Sequence, residues 1–364
     1  MGGSPSRGPG GANARGELRS RRTRARVAKE ETDVNKELKQ GIASFYDESS
    51  NVWETIWGEH MHHGYYDTSS GNPVSQLSIQ EHRRAQVLMI DKVRSPNRSG
   101  SPRRERSTSS RPHFFLWGRI AQVLEWAGAD EPRPKSVLDV GCGVGGSTRH
   151  IVSKYGCSYG CGITLSPYQA KRAGEITSAE GAGIPKDAVV EFKVEDALNQ
   201  PFEDASFDLV WSLESGEHMP DKEKFVGELY RVLKPGGRVI IVTWCHRVLE
   251  ESEASLSAYE RLLLSLINKA YFLPDWVSIA QYEAIATGLG LEDIRKDDWS
   301  NEVAPFWTAV LKTAVTPNGI RGLLKSGAKT MRGAAVMPLM RLGFASGTIK
   351  FNLMTAVKPG VTEM

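Results

Sequence analysis

Two short stretches gather side chains that can bind, ionise or move a proton. "GEHMHHGYYD" (58–67) holds His60, His62 and His63 within four positions, and "SLESGEHMPD" (212–221) holds Glu214, Glu217 and His218 within five. Clustered imidazoles suit three tasks: holding a metal, taking a proton from a substrate, or packing beside a ligand. A metal site would want three or four ligands in a tetrahedron, and no cysteine or carboxylate cluster elsewhere clearly supplies the remainder. Glu214, Glu217 and His218 read equally well as loop caps bonded to the backbone. The four cysteines, at 142, 157, 161 and 245, have neither metal spacing nor a disulfide pattern, which fits a reducing compartment.

A third stretch narrows the chemistry. In "VLDVGCGVGG" (137–146) an apolar strand runs into Gly141, Gly143 and Gly145 before a helix. Glycines let a backbone turn sharply and approach a ligand at the carboxyl ends of parallel strands. Dinucleotide-binding loops share that pattern, but three features differ. Asp139 precedes the glycines, where it can orient the loop and reach a cationic ligand. The second strand ends in Thr164 and Leu165 rather than in the acid a dinucleotide site expects. "LKPGG" precedes the fifth strand. Together these point to S-adenosylmethionine.

Stepping along the chain gives the elements that must hold these residues. "SVLDVG", "SYGCGITL", "VVEFKVEDA", "FDLVWSLE" and "RVIIVTWC" read as five strands. Helices near 145–155, "SPYQAKRAGEITSAEG" and "KEKFVGELYRVLKPGG" lie between them. Such alternation means a parallel sheet with helices on both faces. "SIAQYEAIATGLG" reads as a further helix, and "LEDIRKDDW" and "TIKFNLMTAVKP" as the last strands. Helical inserts at about 246–274 and 302–345 are expected to cover one edge of the sheet.

Charge separates body from tails. The chain is 364 residues with a net charge of +3, yet residues 1–32 carry eight Lys+Arg against three acids, and 92–113 carry seven against one. The rest has 31 Lys+Arg against 39 Asp+Glu, a net of −8. An acidic body argues against nucleic acid as its partner. Residues 1–32 are Arg- and Ser-containing without an apolar stretch, and read as a disordered organelle transit segment. The Arg/Ser tract within 93–114 divides two helices, "SIQEHRRAQVLMIDKV" and "FFLWGRIAQVLEWAG", and reads as a disordered insertion carried passively. Residues 33–92 read as a helical cap and 115–364 as the catalytic domain. No run of 18 apolar residues suggests a membrane span.

"VLDVGCGVGG", "GITLSPYQ", "FEDASFDLVWSLESGEHMPDK" and "RVLKPGGRVIIVTW" resemble the class I S-adenosylmethionine-dependent methyltransferases. With "FYDESSNVWETIWGEHMHHGYYD", "LPDWVSIAQY", "DDWSNEVAPFW" and "KSGAKTMRGAAVMPLM", the likeness narrows to the plant and algal γ-tocopherol C-methyltransferases and spans roughly 40–92 and 115–360. The Arg/Ser tract departs from that family, which joins the two helices directly. The resemblance implies an α/β Rossmann-like sheet, mostly parallel with a reversed last strand, plus helical lid inserts. It implies a plastid enzyme that methylates a prenylated phenol, converting γ- to α-tocopherol and δ- to β-tocopherol. It places Asp139, Gly141 and Gly143, with Val140, Cys142 and Ser212, on the cofactor. Thr164, Leu165 and Gln169 would hold the ribose, and Asp196 with Ala197 the adenine. His62, His63 and Gly64 would lie beside the methionine portion, under a lid closed by Tyr46 and Trp57.

The proton acceptor is then sought among His62, His63, Glu217 and His218, because a phenol of pKa about 10 is a poor carbon nucleophile until it ionises. "AYFLPDW" and "VAPFWTAVL" could sheath an isoprenoid tail and rest on a membrane. The rivals are an amine N-methyltransferase of the same family and a non-catalytic or RNA-directed cofactor-binding protein.

Overall fold

The computed structural model describes residues 35–66, 78–90, 123–129, 132–179, 182–325 and 327–360. The expected transit segment and the Arg/Ser insertion lie outside the described residues. The chain forms two compact units, residues 1–41, of which 35–41 are helical, and residues 42–364.

Seven strands form one sheet: β1 (Ser136–Val140), β2 (Tyr159–Thr164), β3 (Val189–Val194), β4 (Phe207–Leu213), β5 (Leu233–His246), β6 (Glu292–Asp298) and β7 (Ile349–Val357). Their order is β3-β2-β1-β4-β5-β7-β6. The first five run parallel, and β7 inserts antiparallel between β5 and β6. This is the mostly parallel sheet with a reversed last strand expected from the sequence. Strand order reverses between β1 and β4, and the crevice at such a point is where open α/β sheets take ligands.

Alternation along β5 sends neighbouring side chains to opposite cores. Ile240 and Val242 join a cluster with Trp211, Leu213, Leu263, Phe306 and Phe351. Ile241 and Cys245 join another with Val210, Phe225 and Tyr282. On the first face, α7 (Ala258–Tyr271), α10 (Pro305–Ala314) and α12 (Ala328–Ala345) sit over β4, β5 and β7. The inserts therefore cover the middle of one face and not an edge. The edge strands are β3 and β6, and β6 is largely exposed.

The helices end where side chains stop them. Ser166 caps α5 (Pro167–Ser178) by accepting from Gln169 N at 3.0 Å. Asp221 caps α6 (Lys222–Val232) through Lys224 N at 2.8 Å. The sequence reading closed this helix with Pro-Gly-Gly, but it stops at Val232 and "LKPGG" opens β5. Pro235 disfavours helical backbone at Lys234 just before it, and Leu233 is already paired with Phe207 in the sheet. All four cysteines are free and buried, and burial pushes the Cys157 and Cys161 thiols up to about 11.

Candidate active site

The turn after β1 is fixed from below. Gly141 has φ of +87° and Gly143 of +55°, and the amides of Gly141 and Cys142 both donate to Ile163 O, at 2.9 and 3.0 Å. Asp139 is buried and accepts from Thr148 Oγ1 at 2.6 Å, tying β1 to α4 (Gly146–Tyr155). Burial outweighs those bonds and pushes its carboxyl up to about 7. Gly141 is required for a reason other than room for a cofactor. A Cβ there would lie 2.3 Å from Ser215 Cβ. Ser215 Oγ in turn donates to Val140 O at 2.7 Å and bonds Ser212 Oγ at 2.7 Å, so Ser212 locks β4 to β1. Val140 and Cys142 are buried.

At the end of β2, Gln169 Oε1 accepts from Thr164 Oγ1 at 2.7 Å, and its Nε2 donates to Ser50 Oγ at 3.1 Å. Ser50 lies on α1 (residues 42–57), and Met61 Sδ is 3.7 Å from the same Nε2. Leu165 is half-buried beside them. Beyond β3, Asp196 Oδ1 accepts from Leu198 N at 2.9 Å, forming a turn next to buried Ala197. The expected ribose and adenine residues thus occupy the ends of neighbouring strands.

The histidine loop is held by α2 (Ile79–Ile90). Gln86 Nε2 donates to His60 O at 2.5 Å and to His62 O at 2.9 Å. Gly64 lies against this helix, where a Cβ would meet Ala85 Cβ at 2.7 Å, so close packing requires a glycine here. Trp57 likewise packs into the core, 5.2 Å from Phe306 between ring centroids. His62 Nδ1 bonds His63 O at 2.9 Å, and burial lowers the His62 pKa, with Glu214 opposing. Burial holds His60 well below the usual imidazole range.

His63 is engaged twice by one carboxylate. Its backbone amide donates to Glu214 Oε1 and its Nδ1 pairs with Glu214 Oε2, both at 2.6 Å. Glu214 adopts φ of +54°, a left-handed backbone rare for a side chain of this size, and that conformation follows directly on β4. The His63 ring is walled by Phe306 at 4.4 Å, Trp307 at 5.1 Å, Trp244 at 5.6 Å and Phe351 at 5.7 Å between centroids.

The other two expected bases lie differently. His218 Nε2 pairs with Tyr46 OH at 2.9 Å, and burial, reinforced by the nearby Lys222 charge, lowers the imidazole to about 3. Burial and the Glu217 and Glu214 charges raise the Tyr46 phenol. Glu217 turns to β5, accepting from Thr243 Oγ1 at 2.8 Å. It is pushed up to about 8, first by burial and then by Glu214. Lys222 Nζ, lowered to about 8 by burial, donates to Gly216 O at 2.7 Å and Glu217 O at 3.2 Å. Thr243 lies between Val242 and Trp244 and so faces away from the aromatic wall. Glu217 thus bonds the side of β5 opposite Trp244, while Glu214 bonds His63.

A family model described as "Methyltransferase domain" matches residues 138–241. The probable tocopherol O-methyltransferase, chloroplastic, of Oryza sativa subsp. japonica is 51% identical over 90% of this chain and 80% of its own length. The chloroplastic tocopherol O-methyltransferase of Arabidopsis thaliana is 46% identical over 88% and 83%. Norajmaline N-methyltransferase of Rauvolfia serpentina is 33% identical over 88% and 99%. Among solved structures, a putative sarcosine dimethylglycine methyltransferase from Galdieria sulphuraria superposes with a TM-score of 0.60 at 22% identity, over 85% of this chain and 98% of the other, a likeness of fold.

The chain belongs to the tocopherol methyltransferase family.

It is an enzyme of the S-adenosylmethionine-dependent class. The residues of this family member fit that cofactor. Among the described residues, Ser49 Oγ, His62 Nε2 and His63 Nε2 are buried polar atoms without a partner in the protein. Buried polar groups are ordinarily satisfied, and these three lie on segments that close over the ends of β1 and β4. Among the described residues no three His, Cys, Asp or Glu side chains are grouped to hold a metal ion.

Residues that spacing alone does not single out also hold the candidate site together. Glu214 sat beside Glu217 in the sequence as an equal candidate cap, and only its unusual backbone selects it. Gln86 and Lys222 carry no motif. Their signal is a polar side chain at a buried position of an amphipathic helix, visible once the helix face is known.

Proposed function

We propose that this enzyme methylates the chromanol ring of tocopherols at the carbon ortho to the hydroxyl, taking γ- to α-tocopherol and δ- to β-tocopherol in a plastid. The observation that carries the reading is the His63–Glu214 pair, with His63 Nε2 turned toward no protein partner inside an aromatic wall. The cofactor supplies an electrophilic methyl group. Glu214 holds the proton of His63 on Nδ1, which leaves the Nε2 lone pair for the substrate hydroxyl. His63 takes that proton, and electron density rises at the ortho carbon. Trp244 and Trp307 each bury an Nε1–H without a partner among the described residues, so each can donate to the phenolate oxygen. Once the ring carbon is methylated, its hydrogen leaves as a proton and aromaticity returns. The apolar wall suits a long hydrocarbon with one polar head.

The Oryza sativa and Arabidopsis thaliana relatives are called O-methyltransferases, whereas this reading leaves the phenol free. Mass and NMR analysis of the product from γ-tocopherol separates the two, and a 6-O-methyl ether of γ-tocopherol should not react. A methyl ether formed from γ-tocopherol would replace this reading with O-methylation, preference for an alkaloid amine in a mixed panel would replace it with N-methylation, and methylation of the ether at the rate of the free phenol would remove the need for a base. The plastid assignment draws on the chloroplastic names of both tocopherol relatives. Import of a fluorescent fusion of residues 1–60 into plastids tests it.

A further inference from the structure

The aromatic segments expected to rest on a membrane do not face outward. Phe306, Trp307, Ala309 and Val310 are all buried. A different surface has the right chemistry. From Val303 to Gly347 the chain contains six Lys+Arg and no Asp or Glu, whereas the rest of the folded body carries 25 Lys+Arg against 39 Asp+Glu. Within this stretch lie α10, α11 (Pro317–Lys325) and α12. Val315 is 73% exposed and Leu324 72%, and Ile320, Met331 and Leu342 are also exposed. Arg321, Arg332 and Arg341 are exposed beside them. Along α12 the exposed positions 328, 331, 335, 338, 342 and 345 recur at helical spacing and are all apolar or proline.

We propose that this face, α11 with the outer side of α12, docks the enzyme on a bilayer bearing anionic headgroups. The deepening rests on the reading that the acceptor is a lipid phenol. Large exposed aliphatics interleaved with arginines match an interfacial helix, whose apolar side enters the headgroup boundary while cations meet lipid phosphate. An acidic protein would account for the cations, but not for the aliphatic row along α12. The inner side of the same helix reaches the site: the Phe344 ring is 6.5 Å from His63, and Gly333 packs against Phe45 and Tyr271. A phenol whose tail stays in the bilayer is thereby brought to the helix that walls His63.

The test is flotation of the full-length protein with vesicles of phosphatidylcholine alone or with 30% phosphatidylglycerol, taken as a concrete composition of roughly physiological anionic content. Binding to the anionic vesicles, weakened by salt, is the expected result. Arg321→Glu with Arg341→Glu should lower partitioning by ~10-fold or more, and Leu324→Ser with Leu342→Ser should lower it in both low and high salt. Each double variant should retain methylation of detergent-dispersed γ-tocopherol and lose it on vesicle-borne substrate. Equal binding of wild type and both variants to anionic vesicles, or no binding by wild type, overturns the docking face. Loss of the detergent assay in the variants also overturns it, because the face would then be structural. If wild type fails the detergent assay, the lipid-phenol reading itself falls, while flotation still reports on the surface.

Discussion

Glu214 and Glu217 stand three residues apart after the same strand, and they live in different chemistries. Glu214 leaves β4 in a left-handed conformation and grips His63 from the aromatic side of the sheet. Glu217 passes through a short turn to Thr243, Lys222 and the opposite core. One is coupled to an imidazole open to substrate. The other is a buried acid whose raised pKa comes first from its own burial. A strongly shifted pKa marks a candidate functional site, and here it marks the carboxylate that bonds Thr243. Geometry outranks titration in choosing between them.

The most severe way to break this division is at the residue beneath it. Gly141→Val must displace Ser215, which sits between the two carboxylates, and must adopt φ of +87°. Overpacking and a forbidden backbone together should cost ~2–5 kcal/mol, seen as a lower Tm and no measurable S-adenosylhomocysteine binding by calorimetry. Normal binding would mean the turn is softer than its contacts imply.

The next effect separates the two acids directly. His63→Ala and Glu214→Gln should each reduce kcat on γ-tocopherol by ~10²–10⁴-fold, with cofactor affinity nearly kept. Glu217→Gln should leave kcat within about fivefold, since it removes no group that meets the acceptor. The reverse ranking in steady-state assays would move the base to the other side of the sheet.

Glu217 should instead be visible in stability against pH. Burial pushes its carboxyl up to about 8, above the 4.5 of an ordinary glutamate, so the native state holds a proton that the unfolded chain releases. That contribution is fully present below pH 4.5 and is lost as pH rises toward and through 8. Denaturant titrations from pH 5 to 8 should show wild type losing stability more steeply than Glu217→Gln. Parallel curves would mean the acid is already ionised at neutral pH. The smallest effect belongs to Tyr46→Phe, which removes one hydrogen bond to His218 and should cost ~1 kcal/mol, with kcat changed by less than about threefold.

Much of this arrangement was legible beforehand, for reasons that explain the gaps. Buried parallel strands are continuous apolar runs, so β1, β2 and β4 could be read directly, and Gly141 and Thr164 followed from where those strands end, whereas Gln169 came only with the family resemblance. The histidine loop stood out by composition. What could not be read was facing. Glu217 and Glu214 differ in fate because of one residue's φ, and Thr243 lies opposite Trp244 through strand alternation in a strand whose register was unknown. The inserts are legible as apolar helices, but not which side of each is buried: Phe306 and Trp307 point inward, and the row on α12 points out. A helix pattern tells that one side is greasy, but a protein that handles lipid can leave a second side greasy as well.

The cysteines close off one mode of control. All four are buried and kept as thiols by the surrounding apolar packing, and thiolate is the form that attacks oxidants and disulfides. The folded enzyme therefore offers no handle to thioredoxin-type reductants, peroxide or alkylating agents short of opening its core. Its turnover should accordingly be unchanged by incubation with a dithiol reductant.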